Sequence, residues 1–254
     1  MAKNAKDNTP INVCAIVPVY RHEKASRSVV EKLASFNLPV ILIDDGNAPE
    51  GHEILVQIAK EFPHVNLVTH AVNRGKGGAV RTGMETAVNM GFTHALQVDA
   101  DGQHDLNRIE PFLKLSAEHP DALVCGCPEY DATVPRNRQK GRRLTTGMVA
   151  IETLSRDIKD AMCGFRVYPV APVVNIKDKI ASLRMGFDIE ILVRLHWAGV
   201  HVISEPVKVT YPEGGLSNFR MVHDNIEISA LHTRLFFGML IRLPKLLARR
   251  KAHG

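Results

Sequence analysis

Short apolar runs alternate with amphipathic segments through the first half of the chain. The runs predict strands at residues 13–19, 40–43, 65–68, 95–98 and 122–125. The segments between them predict helices over 24–36, 51–62, 78–90 and 106–118. Apolar strands that alternate with helices are typical of a parallel sheet covered on both faces. We therefore predict an α/β fold with a mostly parallel central sheet flanked by helices, which binds ligands beyond the carboxyl ends of its strands.

The second half of the chain has a different pattern. Residues 128–143 are polar and basic, which predicts a loop that runs into a helix over 141–158. A turn and short strand over 160–168, a helix over 188–198 and a strand over 200–211 follow. No internal repeat or linker is present, so we expect one domain over 1–217 and a helical tail over 218–254.

The tail combines apolar and basic residues. Residues 235–241 are apolar and stand between Arg234 and Arg242, with more basic residues beyond them. This composition predicts a basic amphipathic helix in a membrane interface, or a helix that packs against the core or a second copy. Pro244 is expected to break or kink the helix, because proline lacks the backbone N–H that a helix interior needs.

Composition narrows the classes of function. The 254 residues are 45% hydrophobic and 23% charged, as in folded globular chains. A net charge of +5 suits an anionic substrate or a membrane surface, and no basic stripe interleaved with aromatic residues points to nucleic acid. The cysteines lack zinc-ligand spacing, and the first ten residues lack the apolar run of a secretion signal. We expect a cytoplasmic protein, peripheral at the inner face of the membrane.

Two pairs of acids each follow a predicted strand. They are Asp44 with Asp45, and Asp99 with Asp101. Carboxylates at a strand end can hold a divalent cation, and Mg2+ usually keeps substrate phosphates as further ligands. The first pair can alternatively form a turn. Together with the segment 73–83, which contains Gly, Lys and Arg, the acids predict a site for a nucleotide diphosphate carried on a metal.

Six short motifs occur in order along the chain. They are VPVY at 17–20, DDG at 44–46, NRGKGGAVRTG at 73–83, DADGQH at 99–104, CGFRVY at 163–168 and GFDIEIL at 186–192. Their order and spacing resemble the family 2 glycosyltransferases, which implies a GT-A-type nucleotide-binding fold. The resemblance is greatest to the polyprenyl-phosphate and dolichyl-phosphate sugar synthases. The tail is more similar to small bacterial transferases of lipid or aryl-polyene pathways.

The resemblance implies roles for residues of the first four motifs. The nucleotide would contact Pro18, Tyr20, Asp44, Asp45, Lys76, Arg81 and Asp99. The D-x-D-x-Q pattern that holds Mg2+ or Mn2+ in the polyprenyl-phosphate synthases corresponds to Asp99, Asp101 and Gln103. Such a metal neutralises charge on the departing nucleoside diphosphate.

On the acceptor side the resemblance leaves two chemistries open. A hydroxyl acceptor needs a general base, and Asp188 and Glu190 occupy its place in inverting relatives unless they only stabilise a helix start. A phosphate acceptor needs cations instead. These would come from Arg136, Arg138, Arg142, Arg143 and Arg166, unless the run is a solvated loop. The intact Asp188-Ile189-Glu190 and the unusual tail favour a hydroxyl or an unusual lipid acceptor.

The sequence thus predicts an inverting glycosyltransferase that moves a sugar from a UDP- or GDP-linked donor to a lipid or lipid-linked acceptor. Inversion is implied by the family alone. The alternatives are a polyprenyl-phosphate sugar synthase proper, a sugar-1-phosphate nucleotidyltransferase and a non-catalytic membrane-associated relative. The first strand is not followed by the Gly-rich loop of nucleotidyltransferases, and the intact acid pairs weigh against a non-catalytic relative.

Overall fold

The computed structural model describes residues 10–130, 136–210 and 220–253. The strands of these residues are β1 (Val13–Val19), β2 (Val40–Asp44), β3 (Val65–Thr69), β4 (His94–Gln97), β5 (Leu123–Tyr130), β6 (Arg166–Pro169) and β7 (Val202–Val209). The helices are α1 (Glu23–Ala34), α2 (Pro49–Glu61), α3 (Lys76–Asn89), α4 (Ile109–Glu118), α5 (Arg136–Thr153), α6 (Val170–Ile176), α7 (Phe187–Ala198) and α8 (Met221–His253).

The strands form one sheet in the order β3-β2-β1-β4-β6-β5-β7. The strand β6 runs antiparallel to β4 and β5, while the other neighbours are parallel. This confirms the predicted mostly parallel sheet flanked by helices. The carboxyl ends of β1, β2 and β4 therefore meet at the same edge.

Alternate residues of the strands supply two apolar layers, one on each face of the sheet. Along β1, Cys14 and Ile16 face the layer that α3, α5, α6, α7 and α8 cover. Ala15 and Val17 face the opposite layer, which is covered by α1, α2 and α4. Burial on both faces explains why the strands are apolar throughout rather than alternating.

The structure corrects the boundaries predicted around residue 130. The strand β5 continues to Tyr130, because it pairs with β7 from Leu123↔Val202 to Tyr130↔Val209. The following helix begins at Arg136 rather than at 141 and ends at Thr153. Pairing with a strand distant in sequence thus orders residues whose polar character predicted a loop.

The tail helix α8 continues through Pro244, so of the predicted break or kink the break does not occur. Contacts with the domain hold it on both sides of the proline. Leu235 and Met239 are buried before it and Leu246 after it. Arg249 then donates to the backbone oxygen of His196 over 2.7 Å. Within the described ranges, no helix combines the length and apolar character needed to cross a membrane.

Candidate active site

Lys76, the first residue of α3, joins two of the predicted acids. Its Nζ lies 2.8 Å from Asp99 Oδ1 and 2.8 Å from Asp188 Oδ2. Burial disfavours the ammonium, but the charges of Asp188 and Asp99 outweigh it and hold the pKa of Lys76 well above its usual value. Gly164 permits this approach, because a Cβ there would lie 2.5 Å from Nζ. Residues from four separate motifs therefore meet at one charged centre.

A buried network fixes Asp188. Gln97 Nε2 donates to Asp188 Oδ1 over 3.2 Å, and Tyr168 Oη donates to Gln97 Oε1 over 3.2 Å. The guanidinium of Arg166 donates to the backbone oxygen of Asp188 over 2.8 Å and to Tyr168 Oη over 3.2 Å. Each carboxylate oxygen of Asp188 thus has a partner. The network fixes the position of the Asp188 side chain beside Lys76.

Asp101, Gln103 and His104 extend the site beyond β4. Asp101 Oδ1 accepts a hydrogen bond from the backbone N of Gln103 over 3.0 Å. Burial and the charge of Asp99 raise the pKa of Asp101. Burial also lowers the pKa of His104, whose buried Nδ1 has no hydrogen-bond partner among the described residues. The surroundings of Asp101 therefore disfavour a second negative charge beside that of Asp99.

The donor set fits a divalent cation that arrives with its substrate. In the described parts of the chain, no three His, Cys, Asp or Glu side chains converge to hold a metal by themselves. Asp99 and Asp101 supply two carboxylates, and the raised pKa of Asp101 indicates that a further positive charge would stabilise the pair. Mg2+ commonly binds one or two carboxylates and completes its shell with water and substrate phosphates.

Asp45 holds the turn that precedes α3. Its oxygens accept from the backbone N of Arg74, the backbone N of Gly75 and Asn73 Nδ2, each over 2.9 Å. His70 Nδ1 lies 2.8 Å from Asp45 Oδ1. The carboxylate is buried and has these partners without a nucleotide. This position gives Asp45 a structural role besides the predicted one in base binding.

Asp44, the last residue of β2, organises the turn that follows this strand. Its Oδ1 accepts from the Asn47 side chain over 2.8 Å, and its Oδ2 lies 2.7 Å from His52 Nδ1. Burial raises the pKa of Asp44, but the hydrogen bond from the Asn47 backbone N, over 3.0 Å, and the two side-chain bonds outweigh it, so the net pKa lies below its usual value. Pro18 and Tyr20, predicted to contact the nucleotide, are half-buried beside this turn.

Glu190 is fully buried and stabilises residues 181–184, which we call the strap. Its Oε2 accepts from the backbone N of Ala181 over 3.1 Å and of Ser182 over 2.7 Å. Its Oε1 accepts from Arg194 over 2.6 Å. These contacts do not fit the predicted general base, since Glu190 has no exposed oxygen to offer an acceptor.

The strap caps the start of α3. The backbone oxygen of Leu183 accepts from the backbone N of Gly77 over 2.9 Å and of Gly78 over 3.3 Å. A helix N-terminus is a common anion site, but here a protein carbonyl occupies it. Arg81 lies beside the outward ion pair of Lys177 and Glu85, about 140° around the helix from Lys76. The Lys76 side chain is therefore the part of α3 that faces the charged centre.

The predicted acceptor arginines lie in different environments. Arg166 is fully buried and bonded within the core, so it does not fit contact with an acceptor. Arg143 is exposed on α5, while the side chains of Arg136 and Arg138 lie outside the described residues. Among the arginines of this set whose side chains are described, only those on the outer surface of α5 can therefore offer a positive charge to an acceptor.

Arg142 supports the turn beside the charged centre. It donates to both oxygens of Asp160, over 2.9 Å and 3.0 Å. Asp160 Oδ1 also accepts from the backbone N of Cys163 over 2.7 Å. Because Gly164 follows directly, Arg142 and Asp160 support the turn that lies against Lys76 and Asp99.

Sequence reasoning missed Gln97, Tyr168, His70 and the strap. A polar residue inside an apolar strand was a signal for Gln97, because buried polar groups need partners. Nothing in the spacing of the other residues indicated which side chains they contact.

Comparisons with known proteins identify the family. A model of glycosyl transferase family 2 matches residues 14–174. A dolichyl-phosphate beta-glucosyltransferase of Dictyostelium discoideum is 26% identical over 265 residues, with 96% of this chain and 79% of that protein covered. A UDP-N-acetylglucosamine--dolichyl-phosphate N-acetylglucosaminyltransferase of Methanococcus voltae is 24% identical over 215 residues, with 78% and 85% covered.

Two solved structures share the fold. Glucosyl-3-phosphoglycerate synthase from Mycobacterium tuberculosis, in complex with phosphoglyceric acid, has a TM-score of 0.61 at 13% identity and covers 91% of this chain and 80% of its own. A mannosyltransferase from Pyrobaculum calidifontis in complex with GDP-Man and Mn2+ has a TM-score of 0.58 at 16% identity, with 93% and 67% covered.

Proposed function

Since the chain belongs to glycosyl transferase family 2, we propose that it transfers a sugar from a nucleotide-sugar to the phosphate of a polyisoprenoid lipid. The relatives named for dolichyl phosphate support this acceptor class. The proposal replaces the hydroxyl or unusual lipid acceptor that the tail and the intact Asp188-Ile189-Glu190 favoured.

The observation that carries the proposal is that both candidate bases, Asp188 and Glu190, already have other hydrogen-bond partners. Asp188 is bonded to Lys76 and Gln97, and Glu190 is buried against the strap. A hydroxyl must lose its proton to a nearby base, whereas a phosphate monoester is already ionised at neutral pH. A site whose carboxylates have other partners therefore suits a phosphate acceptor.

On the donor side, Lys76 would bind the diphosphate and the end of β1 would bind the base. Asp99, Asp101 and the side chain of Gln103 would hold Mg2+ or Mn2+ together with donor oxygens. When bound, the metal stabilises the negative charge of the leaving nucleoside diphosphate. Asp188 keeps the Lys76 ammonium at the place where that charge develops.

On the acceptor side, the basic residues of the first half of α5 would bind the lipid phosphate. Arg143 is exposed there, and Arg142 anchors the adjacent turn to Gly164. Arg136 and Arg138 precede them in the same helix. Guanidinium groups bind phosphate in a bidentate manner, which suits them to a dianionic head group.

The outer face of α8 would contact the membrane in which such a lipid lies. Large apolar side chains are exposed along one stripe of the helix, at Val222, Ile226, Phe236, Phe237, Leu240, Ile241 and Leu247. Helical spacing puts them opposite the buried Leu231 and Leu235. Arg234 borders the stripe and lies 3.8 Å from Glu190, so the stripe adjoins the strap. Apolar residues bordered by cations are typical of interfacial helices.

A transfer assay tests the acceptor. The protein is incubated with Mg2+, a radiolabelled donor (UDP-glucose, UDP-N-acetylglucosamine or GDP-mannose) and either dolichyl phosphate or dolichol. We expect label in the organic phase with dolichyl phosphate and at least one donor, and none with dolichol. Labelling of dolichol alone would contradict a phosphate acceptor, and no labelling with any pair would contradict the proposal.

Vesicle co-sedimentation tests the membrane face. We expect the protein to bind anionic vesicles at low salt, and Phe237→Glu with Ile241→Glu to abolish binding. Val88→Glu is the matched control, because Val88 is 42% exposed on α3, away from the stripe. Equal binding of the double variant and the control would rule out this face.

A further inference from the structure

The ammonium of Lys76 is bonded to Asp99, a carboxylate that the proposed metal would need as a ligand. Its Nζ contacts both oxygens of Asp99, over 2.8 Å and 3.1 Å, and is also bonded to Asp188. The ion pair also packs closely against Gly164, where a Cβ would lie 2.6 Å from Asp99 Oδ2. Lys76 and Asp99 therefore cannot move apart in the direction of Gly164. A cation that binds Asp99 must therefore share this carboxylate with the ammonium or displace it.

The Lys76 ammonium weakens the attraction of the site for a metal that binds alone. It contacts the carboxylates of both Asp99 and Asp188. A lone divalent cation at Asp99 would lie close to this ammonium, and like charges at short distance repel. A divalent cation that arrives with a diphosphate brings two negative charges, to which the ammonium can bond instead of Asp99.

We infer that Lys76 makes metal binding depend on the donor. Its ammonium neutralises Asp99 until the nucleotide-sugar arrives, and then bonds to the diphosphate while Asp99 turns to the metal. Asp188 keeps Lys76 within reach in both states. Coupling of this kind is reciprocal, so the metal must strengthen donor binding by the same factor. The inference rests on the proposed function, because it assumes a metal at Asp99 and Asp101.

The test measures Mn2+ binding without any nucleotide, by the loss of the free Mn2+ signal in electron paramagnetic resonance. We expect Lys76→Met to bind Mn2+ at least about tenfold more tightly than the wild type, a difference of about 1.4 kcal/mol. Lys76→Arg, which keeps the positive charge, is the matched control and should bind as weakly as the wild type. Adding Asp101→Asn to Lys76→Met should remove the gain.

Two results would overturn the inference. One is equal or weaker Mn2+ binding by Lys76→Met, and the other is a gain that survives Asp101→Asn. Circular dichroism checks that each variant is folded, and Lys76→Gln replaces Lys76→Met if that variant is not. The assay contains no acceptor. Failure of transfer to dolichyl phosphate, with the Mn2+ gain present, would therefore refute the proposed acceptor and leave the role of Lys76 standing.

Discussion

Asp45→Ala separates the structural role of the first acid pair from its predicted role in nucleotide binding. The substitution removes the partner of two backbone N–H groups, those of Arg74 and Gly75, each 2.9 Å from the carboxylate. The Gly75 donor is buried and the Arg74 donor is partly buried. An unpaired buried donor costs about 1–3 kcal/mol and a partly buried one costs less, so we expect a loss of about 2–5 kcal/mol in the free energy of unfolding. A loss of this size is a large fraction of a typical domain's stability.

The matched control is Asp44→Ala. Asp44 binds Asn47 and the His52 side chain, which is 42% exposed, so water can replace part of what is lost. We expect a smaller loss, about 1–2 kcal/mol. Urea unfolding is followed by the fluorescence of Trp197, the one tryptophan of the chain, which is buried.

A loss below about 1 kcal/mol for Asp45→Ala would refute the reasoning, because the buried Gly75 donor alone cannot go unpaired at so small a cost. A loss no larger than that of Asp44→Ala would refute it as well. Calorimetry with UDP and GDP on the folded fraction then measures any direct contact with the base. Wild-type nucleotide affinity in a destabilised variant would assign Asp45 to the turn alone.

Three further substitutions test the site and its surroundings. Asp101→Asn should abolish metal-dependent sugar transfer while the melting temperature stays near the wild-type value; wild-type rates at ordinary Mg2+ would exclude Asp101 as a ligand. Glu190→Gln should reduce stability by about 1–3 kcal/mol through the strap and keep kcat within about tenfold, whereas a loss of 10²–10⁴ in kcat would indicate a general base after all. Burial lowers the pKa of His94, so its neutral form stabilises the fold above about pH 6.5 and that contribution is lost as pH falls below it. When urea unfolding is measured at pH 6.5 and at pH 5, His94→Gln should therefore lose less unfolding free energy between the two than the wild type does. An equal loss in the two proteins would contradict this role of His94.

The sequence by itself determined the sheet and the edge at which the site lies. Apolar runs separated by helices fix parallel strands, and the chain direction then places every residue that follows a strand at the carboxyl edge. That is why Asp45, Asp99 and Lys76 could be assigned to one site before any coordinates were known. The order of the motifs likewise identified the family.

The tertiary structure decided which side chains face that site. Asp188 and Glu190 stand two residues apart on α7, so their side chains point about 200° apart and one alone can face Lys76. The packing of α7 against α5, α6 and α8 sets that rotation and turns Asp188 inward. Arg166 lies in the core because β6 inserts between β4 and β5 against their direction, a pairing between distant segments that local pattern does not encode. Periodicity along the chain fixes which elements form, but contacts between distant elements fix how each one is turned.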